Sequence, residues 1–389
     1  MSLTNGMSFK LIYQGDYNAS ESGPDFLNAK IEIDGIIWVG NVEIHVKSKD
    51  WFTHNHHFDD AYNTVILHVV YLNNGDVKLG DAVLPVLELK DHIDNEHYRR
   101  FENLMKAKRT ILCGSSLKDF PPIFLLDMQE KALVQRMSRK TNELLQTVHS
   151  TEPKSVLYYL IARAMGAKVN QLPFEELTQR LPLSFVKQMK KKRQIQAICL
   201  ASGLFIPDNE TDVLLSSRLI QKRTFDNHVY KSAWKVGGVR PANHPSKRIV
   251  QFAYIVQQCD FTVSFVHLNA TELYLHILEL LDLSKSNPCF EYSVDPLSKS
   301  FKHQLIINCF APFLVWYGNQ QEDDSLVEKG FDLLRQLPSE ENGIIKKWKN
   351  YGINPKNAAD SQALLEIFNH FCMNKKCLTC TVGNKLLGK

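Results

Sequence analysis

No stretch of this 389-residue chain reaches 18 uninterrupted apolar residues, so no transmembrane helix and no membrane partner are expected. The opening MSLTNGMSFK lacks the apolar middle of a signal peptide. The eight cysteines are scattered, apart from a C-terminal trio, which suits a reducing compartment better than a disulfide framework. A soluble cytoplasmic protein is the expectation. Charge of one sign is also scarce: the formal balance is +4, so no global field announces a polyanion, and any nucleic-acid contact must be a local patch. There is no Walker P-loop, no G-x-G-x-x-G after a strand, no G-x-S-x-G elbow and no H-E-x-x-H. ATP-driven, dinucleotide-dependent and serine-hydrolase chemistry therefore lack support. Neither a fixed repeat nor a low-complexity linker is present.

What is present is enough apolar material, 44% of residues, to build two cores. The organising stretch is Ser22–Lys47. Two apolar-rich runs, Phe26–Ile33 and Ile36–Lys47, flank Asp34-Gly35, a dipeptide that accepts the positive φ angles of a tight hairpin. Met7–Tyr13 alternates like a strand, Thr64–Leu72 reads as a strand buried on both faces, and Val83–Leu89 as a further one. After Asp91 the pattern turns helical: Asn95–Lys108, Met128–Ser150, Lys154–Gly166, Glu175–Gln179, Leu183–Ala201, Leu214–Val229, Ser246–Asp260, Thr271–Leu281, Lys302–Gly318, Ser325–Leu337 and Asp360–Cys372. The expected class is α+β, a small mixed β-sheet head followed by a large all-α-helical domain. The divisions expected are 1–90 for the head, 91–127 for a connecting segment and 128–389 for the helical domain with its cysteines.

The chemistry-bearing pattern lies on the hairpin. Asp25 opens the first run; Glu43, His45 and Lys47 share one face of the second, because side chains alternate along a strand. Asp25, Glu43 and the Ile44 carbonyl suit Mg²⁺ or Mn²⁺, while His45 or Lys47 would orient or deprotonate a water. Register opposes this. A plain two-residue turn sets Asp25 opposite Ile44, on the wrong face, so the reading requires a bulge, expected at Gly40-Asn41, or an Asp25 outside the strand.

Around it lie His54, His56, His57, Asp59, Asp60 and His68, dense enough to hold zinc through imidazoles, to line a phosphate cleft, or to be a polar loop over a buried, hydrogen-bonded His68. Trp51 and Tyr62 add bulk, most simply as packing. The trio Cys372-x4-Cys377-x2-Cys380 contains a CxxC that turns two thiolates toward one ion, with Cys113 or His370 as a fourth ligand to zinc or an iron–sulfur cluster; three unligated thiols are the alternative. Cys199, Cys259, Cys289 and Cys309 read as core. Cationic features are the run Lys187, Lys190, Lys191, Lys192 and Arg193, and the Pro-punctuated Arg240 and Arg248, which could grip phosphates or be ordinary solvated and capping groups.

The segments SGPDF, WVGNVEIHVKSKDW, HNHHFDDAY, VILHVV, VNQLPFEEL, RQIQAICLASGLF, VRPANHPSKRI and KKCLTCTVG resemble the DUF2851 family of uncharacterised bacterial proteins, common in Bacteroidetes. That resemblance implies an additional aromatic-rich segment ahead of Thr4–Gly6, which this sequence does not show. More distantly the head resembles the PD-(D/E)xK nucleases, whose motif rides on a β-meander, a helix and a fourth strand. Pro24-Asp25 matches the PD element and Glu43 the (D/E); His45 falls on the lysine position, a departure for which Lys47 could substitute. The resemblance implies a metal-dependent nuclease acting on DNA or RNA, with the helical domain gripping the polymer. Also consistent are a non-catalytic nucleic-acid or protein-binding scaffold that keeps a degenerate nuclease fold, and a zinc-dependent hydrolase built on the histidines. Oligomeric state leaves no trace in the sequence.

Overall fold

The computed structural model describes residues 1–18, 22–147, 152–204, 228–261, 263–285 and 294–388. The chain divides into two compact units, 1–107 and 108–387. The first holds the sheet and the second is helical, which makes the protein mixed α+β as expected.

Among the described residues the first unit carries a six-stranded mixed sheet. Its strands are β1 (Phe9–Tyr13), β2 (Asp16–Tyr17), β3 (Phe26–Ile33), β4 (Ile36–Lys47), β5 (Val65–Leu72) and, after a small hairpin of β6 (Lys78–Leu79) and β7 (Ala82–Val83), β8 (Val86–Glu88). The order is β1-β3-β4-β5-β8, with β2 pairing β3. The β3–β4 turn is the one anticipated. Asp34 (φ 45°) and Gly35 (φ 82°) both occupy the left-handed region, as a hairpin turn matched to strand twist demands. Pairing from β1 to β4 is antiparallel, whereas β4–β5 and β5–β8 are parallel.

A parallel neighbour needs a crossover. Here it is the polar segment 48–64, which folds as α1 (Asp50–Thr53) and two single 3₁₀ turns, His56–Phe58 and Asp60–Tyr62. Ala29, Ile31, Val42, Leu67 and Leu87 are buried together, while Trp51, Tyr62, Val65, Val77 and Leu84 form a second cluster under the crossover. Each Ile, Val or Leu among them contributes roughly 1.5–3 kcal/mol on burial. The second cluster ties the crossover to the sheet. Helix α2 (Asn95–Lys106) closes the unit, its first turn capped by the Asp94 carboxylate accepting from the Glu96 N–H.

In the helical unit, Pro122 at the first turn starts α3 (Pro122–Thr147) six residues ahead of the expected Met128. The expected helix Leu183–Ala201 is two helices, Leu183–Lys187 and Lys191–Ala201. The break places Lys190 in an extended conformation, so the basic run does not lie along one helix face. Helices Gly343–Lys349 and Thr381–Leu387 were not anticipated. The expected helix Leu214–Val229 falls almost wholly outside the described residues, as does Cys289. No described helix is long and apolar enough to cross a membrane.

Candidate metal centre

Asp25 and Glu43 meet, and a bulge brings them together, though not the one expected. Ala29 pairs with Gly40 but Phe26 with Val42, so β3 carries one extra residue between them. The extra residue is Asn28, at φ 56°, whose N–H donates to Asn41 Oδ1 (3.1 Å). Asn is among the few side chains that tolerate this region. Gly40, where the bulge had been placed, is small for another reason: a Cβ there would meet Thr64 O at 2.7 Å. Continuing the shifted register sets Asp25 opposite Glu43 instead of Ile44.

The two acids are then joined reciprocally. The Asp25 N–H donates to Glu43 Oε2 (3.1 Å), and the Ile44 N–H donates to Asp25 Oδ2 (2.9 Å). Asn18 holds the loop ahead of Asp25, its amide donating to Ser22 O and Pro24 O. Oε2 of Glu43 is thus fixed by backbone, which leaves Oε1 turned to the histidines: 3.3 Å from His56 Nε2 and 3.5 Å from His45 Nε2.

Strand alternation puts Glu43 and His45 on one face, and parallel register sets His68 beside Glu43. His45 Nδ1 lies 2.8 Å from His68 Nε2, and His45 Nε2 lies 3.0 Å from His54 Nδ1. His54 and His56 come from the crossover on either side of Asn55, another left-handed residue (φ 61°). That reversal aims both rings inward. Ligand-type nitrogens of His45, His54 and His56 all lie within 4.8 Å of one another. Four donors around one zinc-sized ion at about 2.0–2.1 Å would stand about 3.3 Å apart, and the contacts from Glu43 Oε1 fall near that spacing.

Trp51, fully buried, floors the cluster, its ring edge-on or tilted to His45, His56, His68 and Tyr62. Tyr62 stacks on His56 with centroids 3.8 Å apart. This apolar floor penalises charge. Burial, then the Asp25 charge, pushes the Glu43 carboxyl up to about 7. Burial, then His56 and His54, lowers His45 to about 4; burial, then His45, does the same to His68. His56 is lowered by burial and by His54. Tyr62 is raised to about 12 by burial and the Glu43 charge.

The donor set fits a cation. At neutral pH the buried imidazoles are unprotonated, the form that ligates. His56 Nε2 is buried with no hydrogen-bond partner although it faces Glu43. If His45 Nδ1–H donates to His68 Nε2, the His45 Nε2 lone pair is presented to the same point, and His68 acts as the outer partner that orients a ligating imidazole. Three nitrogens and one carboxylate oxygen suit Zn²⁺ or Mn²⁺ better than Mg²⁺, which prefers oxygen and water.

Other singled-out residues lie apart from this point. Lys47 is exposed, and its backbone N–H, not its ammonium, donates to Asp50 Oδ2. His57 points outward among Phe52 and Phe58. Asp59 Oδ1 caps the turn at Ala61 N–H, and Asp60 accepts from Asn63. Lys187 is turned inward, donating to Val256 O and Cys259 O at the end of helix Pro245–Gln258. Arg248 is buried over the Phe301 ring (3.4 Å) and bonded to Gln251 and Asn243. These two cations serve packing. Lys190, Lys191, Lys192, Arg193 and Arg240 are exposed. Sequence reasoning missed the selection of His54 and His56 over His57; the visible signal was the asparagine between them.

The chain matches the family described as protein of unknown function (DUF2851) over residues 1–343. It belongs to the DUF2851 family. No curated protein and no solved structure matches it. The matched span contains every residue of the histidine–carboxylate cluster and Cys113, while Cys372, Cys377 and Cys380 lie beyond it.

Proposed function

We propose that this DUF2851 protein is a metal-dependent hydrolase of phosphodiesters in DNA or RNA, its divalent ion held through imidazoles. The observation that carries the reading is the convergence of His45, His54 and His56 nitrogens within 4.8 Å, with Glu43 Oε1 against His45 and His56 and Asp25 clamped beside it. A divalent ion there that keeps a further coordination position for water would supply positive charge for a phosphate and acidify that water. Glu43 holds the position through one oxygen while Asp25 fixes the other. His68 sets the tautomer of His45, and Trp51 excludes solvent from beneath.

Support for a phosphodiester substrate comes from the placement of the acids. They sit at the start of the second strand and inside the third strand of an antiparallel meander, β1-β3-β4, that a crossover joins to a parallel strand. That placement is in keeping with the resemblance to PD-(D/E)xK nucleases, with His45 where their lysine would fall.

Cleavage of plasmid, single-stranded DNA and RNA should be assayed with Zn²⁺, Mn²⁺ and Mg²⁺ separately. The expected result is cleavage with Mn²⁺ or Zn²⁺ that Glu43→Ala abolishes. Equal activity of the two proteins, or none with any ion, would remove the enzyme and leave a nucleic-acid or protein-binding scaffold.

A further inference from the structure

Among the described residues the metal-donor group is His45, His54 and His56; the free thiols Cys113, Cys372, Cys377 and Cys380 form none, and His370 reaches Glu366 (3.6 Å) instead. The helical unit carries a different feature, a cavity of about 470 Å³. Helix α3 contributes Lys140, Glu143 and Leu144 to its wall, at the i, i+3, i+4 spacing of one helix face. Leu160, Arg163 and Ala164 of helix Pro153–Met165 repeat that spacing. Leu305 and Asn308 come from helix Lys299–Leu305 and its π-helical continuation Ile306–Phe310. A cavity of this size, apolar with a few polar groups, has the dimensions of a small-molecule site.

The charged groups of the wall are unequally committed. Glu143 accepts from Arg139 (3.0 Å), Glu340 accepts from the Gln362 side chain, and Arg163 lies 3.3 Å from Glu175. Half-buried Lys140 has no carboxylate at ion-pair distance among the described residues. Its ammonium donates instead to Asn308 Oδ1 (3.0 Å) and lies 3.5 Å from Ile307 O. Asn308 is itself fixed, donating to Gln304 O one turn back (2.9 Å), so the ammonium is held in place. The Cys309 thiol donates to Leu160 O (3.3 Å), which fastens the π-helical wall to its neighbour.

Two backbone features accompany this cation. π-Helical turns are rare and recur at functional sites. Ala167, also on the wall, stands at φ 50°, a left-handed conformation unfavourable for a residue with a Cβ; strain of that kind gathers where ligands bind. Burial, then the Arg136 charge, lowers the Lys140 amine to about 7, so an anion beside it would restore its charge. A neutral or cationic occupant would leave Lys140 without a counter-charge, and a bare inorganic anion would leave the leucines unused.

We propose that this cavity binds a small organic anion, its oxyanion head paired with Lys140 and its apolar body against Leu144, Leu160 and Leu305. The site lies wholly within 108–387 and is independent of the histidine centre and of the hydrolase reading.

Calorimetric titration of the full-length protein with hexanoate, hexyl phosphate and hexanol tests it. The expected result is a single anion bound per chain, with hexanol weaker on the order of tenfold or more, the step that a charge-assisted hydrogen bond contributes. The tighter of the two anions identifies the head as carboxylate or phosphate. Lys140→Met should erase the preference for the anions over hexanol. Ala164→Phe, which fills the space and leaves the charge, should abolish binding of both anions. Hexanol binding as tightly as the anions, no binding of any of the three, or anion binding unchanged in Ala164→Phe or in folded Lys140→Met would overturn the assignment.

Discussion

Glu43 is asked to do two opposed things. It is buried in an apolar setting beside another acid, which favours its proton, and its Oε1 faces the His45 and His56 imidazoles, where a cation would favour its charge. The signs predict the pH dependence of metal uptake. His45 and His68, held near 4, have already lost their protons at pH 6, whereas Glu43, held near 7, still carries one that a metal must displace. Affinity for Zn²⁺ or Mn²⁺ should rise about tenfold per pH unit up to about pH 7 and flatten above it. A chelator-competition titration between pH 5.5 and 8.5 checks this; a profile flat throughout would contradict it. Glu43→Gln keeps the shape without the charge. It should fold normally, weaken binding on the order of 10–100-fold and remove the inflection near pH 7. His68→Ala should weaken binding less than His56→Ala, because His68 touches the site through His45.

At the scale of elements, the register of β3 on β4 decides whether the site exists. Deleting Asn28 removes the bulge yet leaves Phe26 opposite Val42, so Asp25 still faces Glu43 in a regular ladder. The sheet should persist, since Ala29, Ile31 and Ile33 keep their buried face. Metal affinity should hold within a few-fold, because the Asp25 N–H still reaches Glu43. Circular dichroism with a binding titration checks both; a large loss of affinity in a folded protein would show that register alone does not set the site. Asn28→Val, with a β-branched side chain at positive φ, should cost roughly 1–2 kcal/mol in denaturant unfolding. This element also marks how far the sequence could be read. Asp34-Gly35 announced the turn because few dipeptides accept two left-handed residues, and the strand bounds Phe26–Ile33 and Ile36–Lys47 follow from it. Asn28 sent no such signal: a single left-handed asparagine inside an alternating run looks like any polar residue of a solvent face. The break at Gln188–Lys190 was hidden similarly, since its residues are all good helix formers and tertiary packing overrides their preference.

Across the whole molecule, the imidazole trio and its carboxylate lie in 1–107, and the cysteines singled out from the sequence lie in 108–387. Sequence spacing exposed the cysteine trio but could only nominate Cys113, because nothing local links positions so far apart. The junction runs through exposed Lys106, Lys108 and Arg109. Limited trypsin digestion should cut there first and release two stable pieces that mass spectrometry would identify; initial cleavage inside β3 or β4 would contradict the division.

The central claim is that His45, His54, His56 and Glu43 surround one cation. Crystals grown with Zn²⁺ or Mn²⁺ and measured at the metal's absorption edge test it most directly. The account predicts one anomalous peak about 2.0–2.2 Å from His45 Nε2, His54 Nδ1, His56 Nε2 and Glu43 Oε1. Clear density for those four side chains, with no peak between them at saturating metal, would contradict it.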